Sequence, residues 1–259
     1  MRPATRVVPK ALLTVVDKPA IQYAVEEASR VGAKEALLIV DLEVGHLVHQ
    51  HFVAEGRLPG LENMRVRTVV QEEPLGLGHA VMEAREMIDG RPFFCILADD
   101  IVRPGHDMLP KLARASDDGE VSVVCVRPLG DDVVPTKGII IPASDVNDGV
   151  LEVGGAVEKP SLKDAPSNLG VAGRYLFSPA IFQHLESVKP GHGGEIQLTD
   201  AIHRLGLAGL LRAVVASADL LDIGTPLGLL EASAYLGYDR FGEEYLERIS
   251  GLTEQNLAD

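Results

Sequence analysis

The chain predicts an α/β protein, and three observations carry that prediction. Helix-period and strand-like apolar segments alternate along its first half, several strand-like runs end in aspartate, and 46% of its 259 residues are hydrophobic, ample for a core. Residues 19–31 (PAIQYAVEEASRV) follow a helical pattern that Gly32 ends, and residues 36–41 (ALLIVD) read as a buried strand. Residues 66–71 read as a strand, 78–88 as a helix, and 92–99 (PFFCILAD) as a fully apolar strand ending in acid. Alternation of this kind argues for a parallel sheet covered by helices on both faces. After residues 120–128 the rhythm becomes β-rich: GIIIP, then VLEVGGAVEKP following the turn NDG, then NLGVAGRYLF, which together suggest a second, mixed sheet region. Helices return at 179–185 and 198–205, LLRAVVA and LLDI read as short strands, and the chain is helical from Pro226. A single domain over residues 1–250 with a polar tail at 251–259 is expected.

Composition excludes several function classes. No run approaches the roughly 18–20 apolar residues of a membrane span, and no charged region followed by an apolar one marks a secretory signal, so a cytoplasmic protein without membrane partners is expected. A net charge of −14 repels nucleic acid, and no cluster of basic and aromatic residues offsets it. Cys95 and Cys125 both lie in apolar runs and read as core hydrophobes in a reducing compartment.

The opening stretch PATRVVPKALLTVVDKPAIQY sets Lys10 after Pro9 and Lys18 before Pro19. Proline fixes its own φ and pushes the preceding residue toward extended geometry, so these cations sit in a stiff loop suited to anions, although a solvated surface loop explains them equally well. Ligands of open α/β sheets bind beyond the carboxyl ends of strands. Asp99 and Asp100 stand at one such end (CILADD) and Asp222 at another (LLDIGTP). Asp99 and Asp222 form a candidate pair for Mg²⁺, a hard cation that keeps room for water and phosphates, although each is also an ordinary cap or turn former. The turn PLGLGH after residues 66–71 allows close backbone approach, and EKP places Glu158 and Lys159 at a strand end. His46, His49 and His51 are better explained by a solvated helix face than by metal binding, since no carboxylate or cysteine nearby completes a ligand set.

These pieces in this order, PKxxLxxVDKPxIQY, QxEPLGLGHAV, ILADDI, GxVEKPxxxxAPSNLxxxGRY, GGEIQLTDAI and LDIGTP, resemble the bacterial UTP–glucose-1-phosphate uridylyltransferases from about residue 3 to residue 248. The resemblance implies a Rossmann-like nucleotidyltransferase (GT-A-like) sheet with a smaller mixed β region. It divides the domain at about residues 1–128 for the nucleotide, 129–225 for the sugar, and 226–250 as C-terminal helices. It implies Mg²⁺-dependent transfer of UMP from UTP to glucose 1-phosphate, and a homo-oligomer. Lys10 and Lys159 take catalytic roles by this resemblance, with Lys10 on the triphosphate and Lys159 on the sugar phosphate. Lys18, Gln71, Gly76, Gly78, His79 and Asp100 fall in the nucleotide site, Gly138, Glu158, Gly173 and Glu195 in the sugar site, and Asp99 and Asp222 on the metal.

The chain also departs from this pattern. The family begins with a strand and a glycine-rich loop ending GxGTR, whereas Met1 stands just before the segment that follows them, so the first strand is expected to be missing and Met1 to be an interior methionine of a longer ancestor. Thr14 replaces a usual proline, Ala11 a common glutamate, and Lys137 an aromatic before Gly138. Two other activities stay open on sequence: thymidylyl transfer to the same sugar phosphate, because one methyl group on the base is worth only about 1–3 kcal/mol of discrimination, and a non-catalytic regulatory paralogue.

Overall fold

Thr14–Val15 (β1) and Lys18–Pro19 (β2) form a short antiparallel hairpin whose turn holds Val16 at φ 63°, a costly value for a β-branched residue. Tyr23 Oη fixes it by donating to the Val15 carbonyl at 2.8 Å. The structure, a computed structural model, describes residues 2–54, 58–191, 194–216 and 220–256. Pro19 then starts Ala20–Arg30 (α1), in a position where its missing N–H costs nothing. Glu35–Val40 (β3) follows, Asp41 caps Leu42–His49 (α2) by accepting from Val44 N at 2.8 Å, and the chain returns as Arg65–Val70 (β4), parallel to β3.

The predicted helix over residues 78–88 divides into Leu77–Glu83 (α3) and Arg85–Ile88 (α4), hinged at Ala84. Phe93–Ile96 (β5), Asp100–Val102 (β6), Leu109–Ala115 (α5) and Ser122–Pro128 (β7) come next. Gly138–Pro142 (β8), Val150–Glu158 (β9), Leu169–Phe177 (β10), Ala180–Glu186 (α6), Leu198–Leu207 (α7) and Leu211–Val215 (β11) make up the β-rich half. Leu220–Asp222 (β12) precedes Pro226–Phe241 (α8), capped by Thr225, and Glu243–Asn256 (α9).

One six-stranded sheet runs β5-β10-β7-β11-β9-β8. Its faces are covered by different helices, because β7 alternates: Val124 and Val126 pack with Ile181 and Leu205, while Val123 and Cys125 pack with Met108 and Leu112. Burial pushes the Cys95 and Cys125 thiols up to about 12; Cys125 is a core cysteine, whereas Cys95 is partly buried and lines the edge of β5.

The expectation of a parallel sheet needs correction. Only β3–β4 and β7–β11 are parallel pairs in the described residues, and the rest are antiparallel. The reason is β10, which arrives late in sequence and inserts antiparallel between β5 and β7. Helix–strand rhythm reports which segments are strands but not which neighbour each will find. The β-rich segments therefore join β5 and β7 in one sheet.

Among the described residues, β3 pairs only with β4 and β5 only with β10, so neither edge carries a strand on the side where the two face each other. A cleft of about 940 Å³ lies between them, lined by Leu37 and Ile39 of β3, Phe94 and Ile96 of β5, and Val25 of α1, with Lys10 also at its wall. Those four strand side chains are only partly buried despite being apolar. No described helix is long and apolar enough to cross a membrane.

Candidate active site

Two strand ends carry the acidic centre. β6 and β12 pair antiparallel with Asp100 directly opposite Asp222, and Ile223 N donates to the Asp99 carbonyl at 2.9 Å. Two lysines enter this centre from elsewhere in the chain. Lys10, in a 3-10 turn, pairs with Asp99, and Lys137 Nζ donates to Asp222 Oδ2 at 2.8 Å. Gly224 N donates to the other Asp222 oxygen at 2.7 Å. Burial alone would raise the Asp222 pKa, but the Lys137 hydrogen bond and charge, the Gly224 N–H and the Lys10 charge outweigh it and hold the carboxyl below its ordinary value. Asp100 behaves oppositely: burial raises it, with Lys137 opposing and the Asp222 and Asp99 charges adding to the rise.

The glycine turn is built around Gln71, at the end of β4. Its Nε2 lies 3.2 Å from the Gly76 carbonyl and 2.8 Å from His79 Nδ1, and His79 Nε2 lies 3.2 Å from Glu83. Gly76 has φ 103°, and a Cβ there would fall 2.8 Å from Glu195 Cβ and 2.9 Å from the Ile196 carbonyl. Gly78 N donates to that carbonyl at 2.9 Å, and Ile196 N donates to the Leu75 carbonyl at 2.7 Å. The turn is thus stitched to the extended segment leading into α7. Gly76→Ala is expected to cost about 1–3 kcal/mol from backbone strain and collision, seen as a thermal midpoint lowered by about 2–10 °C.

The same residues lead to a third cluster. Thr199 Oγ1 donates to Glu158 Oε2 at 2.5 Å, and Glu158 stands opposite Gly138 in the β8–β9 register. A Cβ on Gly138 would fall 2.9 Å from Thr199 Oγ1 and 3.2 Å from Glu158 Oε2, so only glycine leaves this space open. Lys159 takes φ 45°, places Nζ 3.4 Å from Glu158 Oε1, and donates its N–H to the Lys137 carbonyl at 3.1 Å. Burial and the Glu158 charge raise the Asp200 pKa. The contacts form one arc: glycine turn, residues 195–199, Glu158 with Lys159, Lys137, Asp222, and Lys10 with Asp99.

Residues 1–237 match the nucleotidyl transferase family model. The chain belongs to that family. This nucleotidyltransferase is 37% identical over 248 residues to UTP–glucose-1-phosphate uridylyltransferase 2 of Staphylococcus saprophyticus, covering 89% of the chain and 85% of the relative. It is 35% identical over 251 residues to the UTP–glucose-1-phosphate uridylyltransferase of Streptococcus pneumoniae, covering 89% and 84%. Among solved structures it superimposes on a UDP-glucose pyrophosphorylase complexed with UDP-glucose with a TM-score of 0.83 at 32% identity, covering 92% of the chain and 94% of the other. A UTP-bound UGPase from Acinetobacter baumannii gives 0.79 at 31%, covering 96% and 93%.

Most residues expected at the nucleotidyltransferase site are brought into the arc, with three qualifications. Lys18 Nζ pairs with Glu26 at 2.6 Å and lies 4.4 Å from the centre of the Tyr23 ring, with no contact to the Lys10 cluster among the described residues. Glu195 adjoins Gly76 and accepts from Gln197 at 3.1 Å, nearer the glycine turn than Gly138. Gly173 makes room for Asp100, since a Cβ there would fall 2.6 Å from Asp100 Oδ2. His51 lies 2.9 Å from Gln22, and no described group of three histidine, cysteine or acidic residues forms a metal cluster. Sequence reasoning missed the placement of Lys137, Thr199 and Arg174, although all three lie in or beside motifs it singled out.

Proposed function

We propose that the protein transfers UMP from UTP to glucose 1-phosphate, giving UDP-glucose and pyrophosphate, with Mg²⁺. The observation that carries this is the arc from the glycine turn to the Asp99–Lys10 pair, which sets a glycine turn, a cationic and acidic centre, and the polar Glu158–Thr199 corner side by side. The names of its relatives support the choice of substrates.

Asp99 and Asp222 fit a Mg²⁺ site. They offer hard oxygen donors, each already facing an ammonium group, and two carboxylates leave the remaining positions to phosphate oxygens and water. Held by Asp99 and Asp222, Mg²⁺ would supply positive charge that lowers the repulsion between the phosphates and the attacking anion. A phosphate oxygen of glucose 1-phosphate attacks the α-phosphorus of UTP in line; the new P–O bond forms as the bond to the β-phosphate oxygen breaks, and pyrophosphate leaves. The attacking oxygen is already ionised, so no protein base is needed. Lys10 stabilises charge on the triphosphate and Lys159 holds the sugar phosphate, so catalysis consists of positioning and neutralisation. Glu158, held in place by the Thr199 hydroxyl, accepts from the sugar hydroxyls, while Gln71 presents its amide to the base.

Purified protein given Mg²⁺, glucose 1-phosphate and either UTP or dTTP tests this by pyrophosphate release. Turnover with UTP preferred supports the reading; preference for dTTP moves it to thymidylyl transfer, and binding without turnover to the regulatory paralogue. Thr199→Val is expected to raise KM for glucose 1-phosphate about tenfold, the equivalent of about 1.4 kcal/mol, and to leave KM for UTP unchanged in initial-rate measurements. We also propose a homo-oligomer, supported by the exposed Leu227, Leu230, Tyr238 and Phe241 of α8 and Leu246 and Ile249 of α9; light scattering reads the assembly directly.

A further inference from the structure

Arg174 is the largest fully buried side chain and is charged, in the middle of β10 within an otherwise apolar run. Four of its N–H directions are used. Nε donates to Glu27 Oε2 at 2.9 Å, Nη1 to the carbonyls of Leu97 and Gly173 at 3.0 Å each, and Nη2 to the Asp100 carbonyl at 2.6 Å. Leu97 and Asp100 bracket the turn in which the chain leaves β5 for β6, the turn that carries Asp99. A strand crossing of this kind strips carbonyls of their ladder partners, and a guanidinium fork can reach both ends of the turn at once.

Glu27 supplies the counter-charge from α1. It is 1% exposed, as is Arg174, and its Oε1 has no hydrogen-bond partner among the described residues. A buried carboxylate with one oxygen unsatisfied is a poor stabiliser, and pairs of this kind can often be replaced by apolar groups without loss of stability. What apolar groups cannot do is hold two carbonyls of a turn in fixed relation.

We propose that Arg174, anchored by Glu27, is a positioning residue that sets the aim of the Asp99 and Asp100 carboxylates at the reacting phosphates. The proposal rests on the uridylyl-transfer reading for its kinetic arm alone. It accounts for Gly173 as well: the glycine gives Asp100 its space on one side while Arg174 fixes the backbone on the other.

The test uses two variants of the full chain, Arg174→Lys and the double variant Arg174→Met with Glu27→Leu. Lysine keeps the charge but cannot span both carbonyls; the double variant removes the charge pair at similar volume. The first arm is a crystal structure of each variant beside the parent, which needs no substrate. The turn at residues 97–100 is expected to move by about 1 Å. The second arm is kinetic: kcat is expected to fall at least about 30-fold, since a shift of that size can cost about 100-fold, with KM for UTP and glucose 1-phosphate within threefold. An unmoved turn, or a moved turn with kcat within threefold of the parent, overturns the proposal. If the parent itself turns over neither UTP nor dTTP, the functional reading fails, while the position of the turn still decides whether Arg174 sets it. Should the double variant not fold, Arg174→Lys carries both arms.

Discussion

A version of the protein carrying an additional apolar strand of about six residues ahead of the present sequence is expected to melt substantially higher, by about 5–15 °C, and to bind UTP more tightly. The cleft between β3 and β5 is shaped for such an occupant. Both bounding edges offer strand backbone without a ladder partner among the described residues, and their apolar side chains are only partly covered. A strand there would complete hydrogen bonds on two sides and bury aliphatic side chains at roughly 1.5–3 kcal/mol each. It would also shield Leu37, Ile39, Phe94 and Ile96 from water. Pro9, Lys10 and Ala11 line the same cleft, so a strand placed upstream is within reach of it and would steady the loop that presents Lys10. Calorimetry on the two versions decides the matter: equal midpoints would mean that the cleft is closed in solution by some other arrangement.

Asp222→Asn is expected to lower kcat by about 100- to 1000-fold while changing the melting temperature by no more than about 3 °C. Asparagine keeps an oxygen to accept from Gly224 N and keeps the side-chain volume, but it removes the charge that pairs with Lys137 and that a metal would need. The stability cost stays small because Lys137 keeps the Asp100 charge beside it, and asparagine brings no buried charge of its own. Thermal shift by UTP should persist, since the glycine turn lies elsewhere in the arc. A kcat within tenfold of the parent would remove Asp222 from the reacting centre.

The acidic centre was legible because apolar strands ending in aspartate announce both a strand and its exposed end. Gly76 was legible as a tight turn for a related reason, since its φ of 103° is one that other residues avoid. Strand order was not: nothing in LGVAGRYLF says that it will separate β5 from β7. Arg174 was hidden inside that run, where a single charge reads as an interruption of an apolar strand rather than as its purpose. Lys137 stood out only as an unexpected residue before Gly138, and its partner Asp222 lies 85 positions away. Contacts of that separation are set by topology, which periodicity does not encode.

The arc spans three sheets: β3 with β4, β6 with β12, and the six-stranded sheet. Gln71 and the glycine turn hang from β4, whereas Asp99 and Lys159 hang from β5 and β9, so a bound nucleotide sugar would touch elements of separate sheets at once. A ligand so placed acts as a reversible cross-link. By mass action, one present at 100 times its Kd adds about 2.7 kcal/mol to the folded state, so the resistance of this protein to heat and proteolysis should rise and fall with the supply of its own substrates.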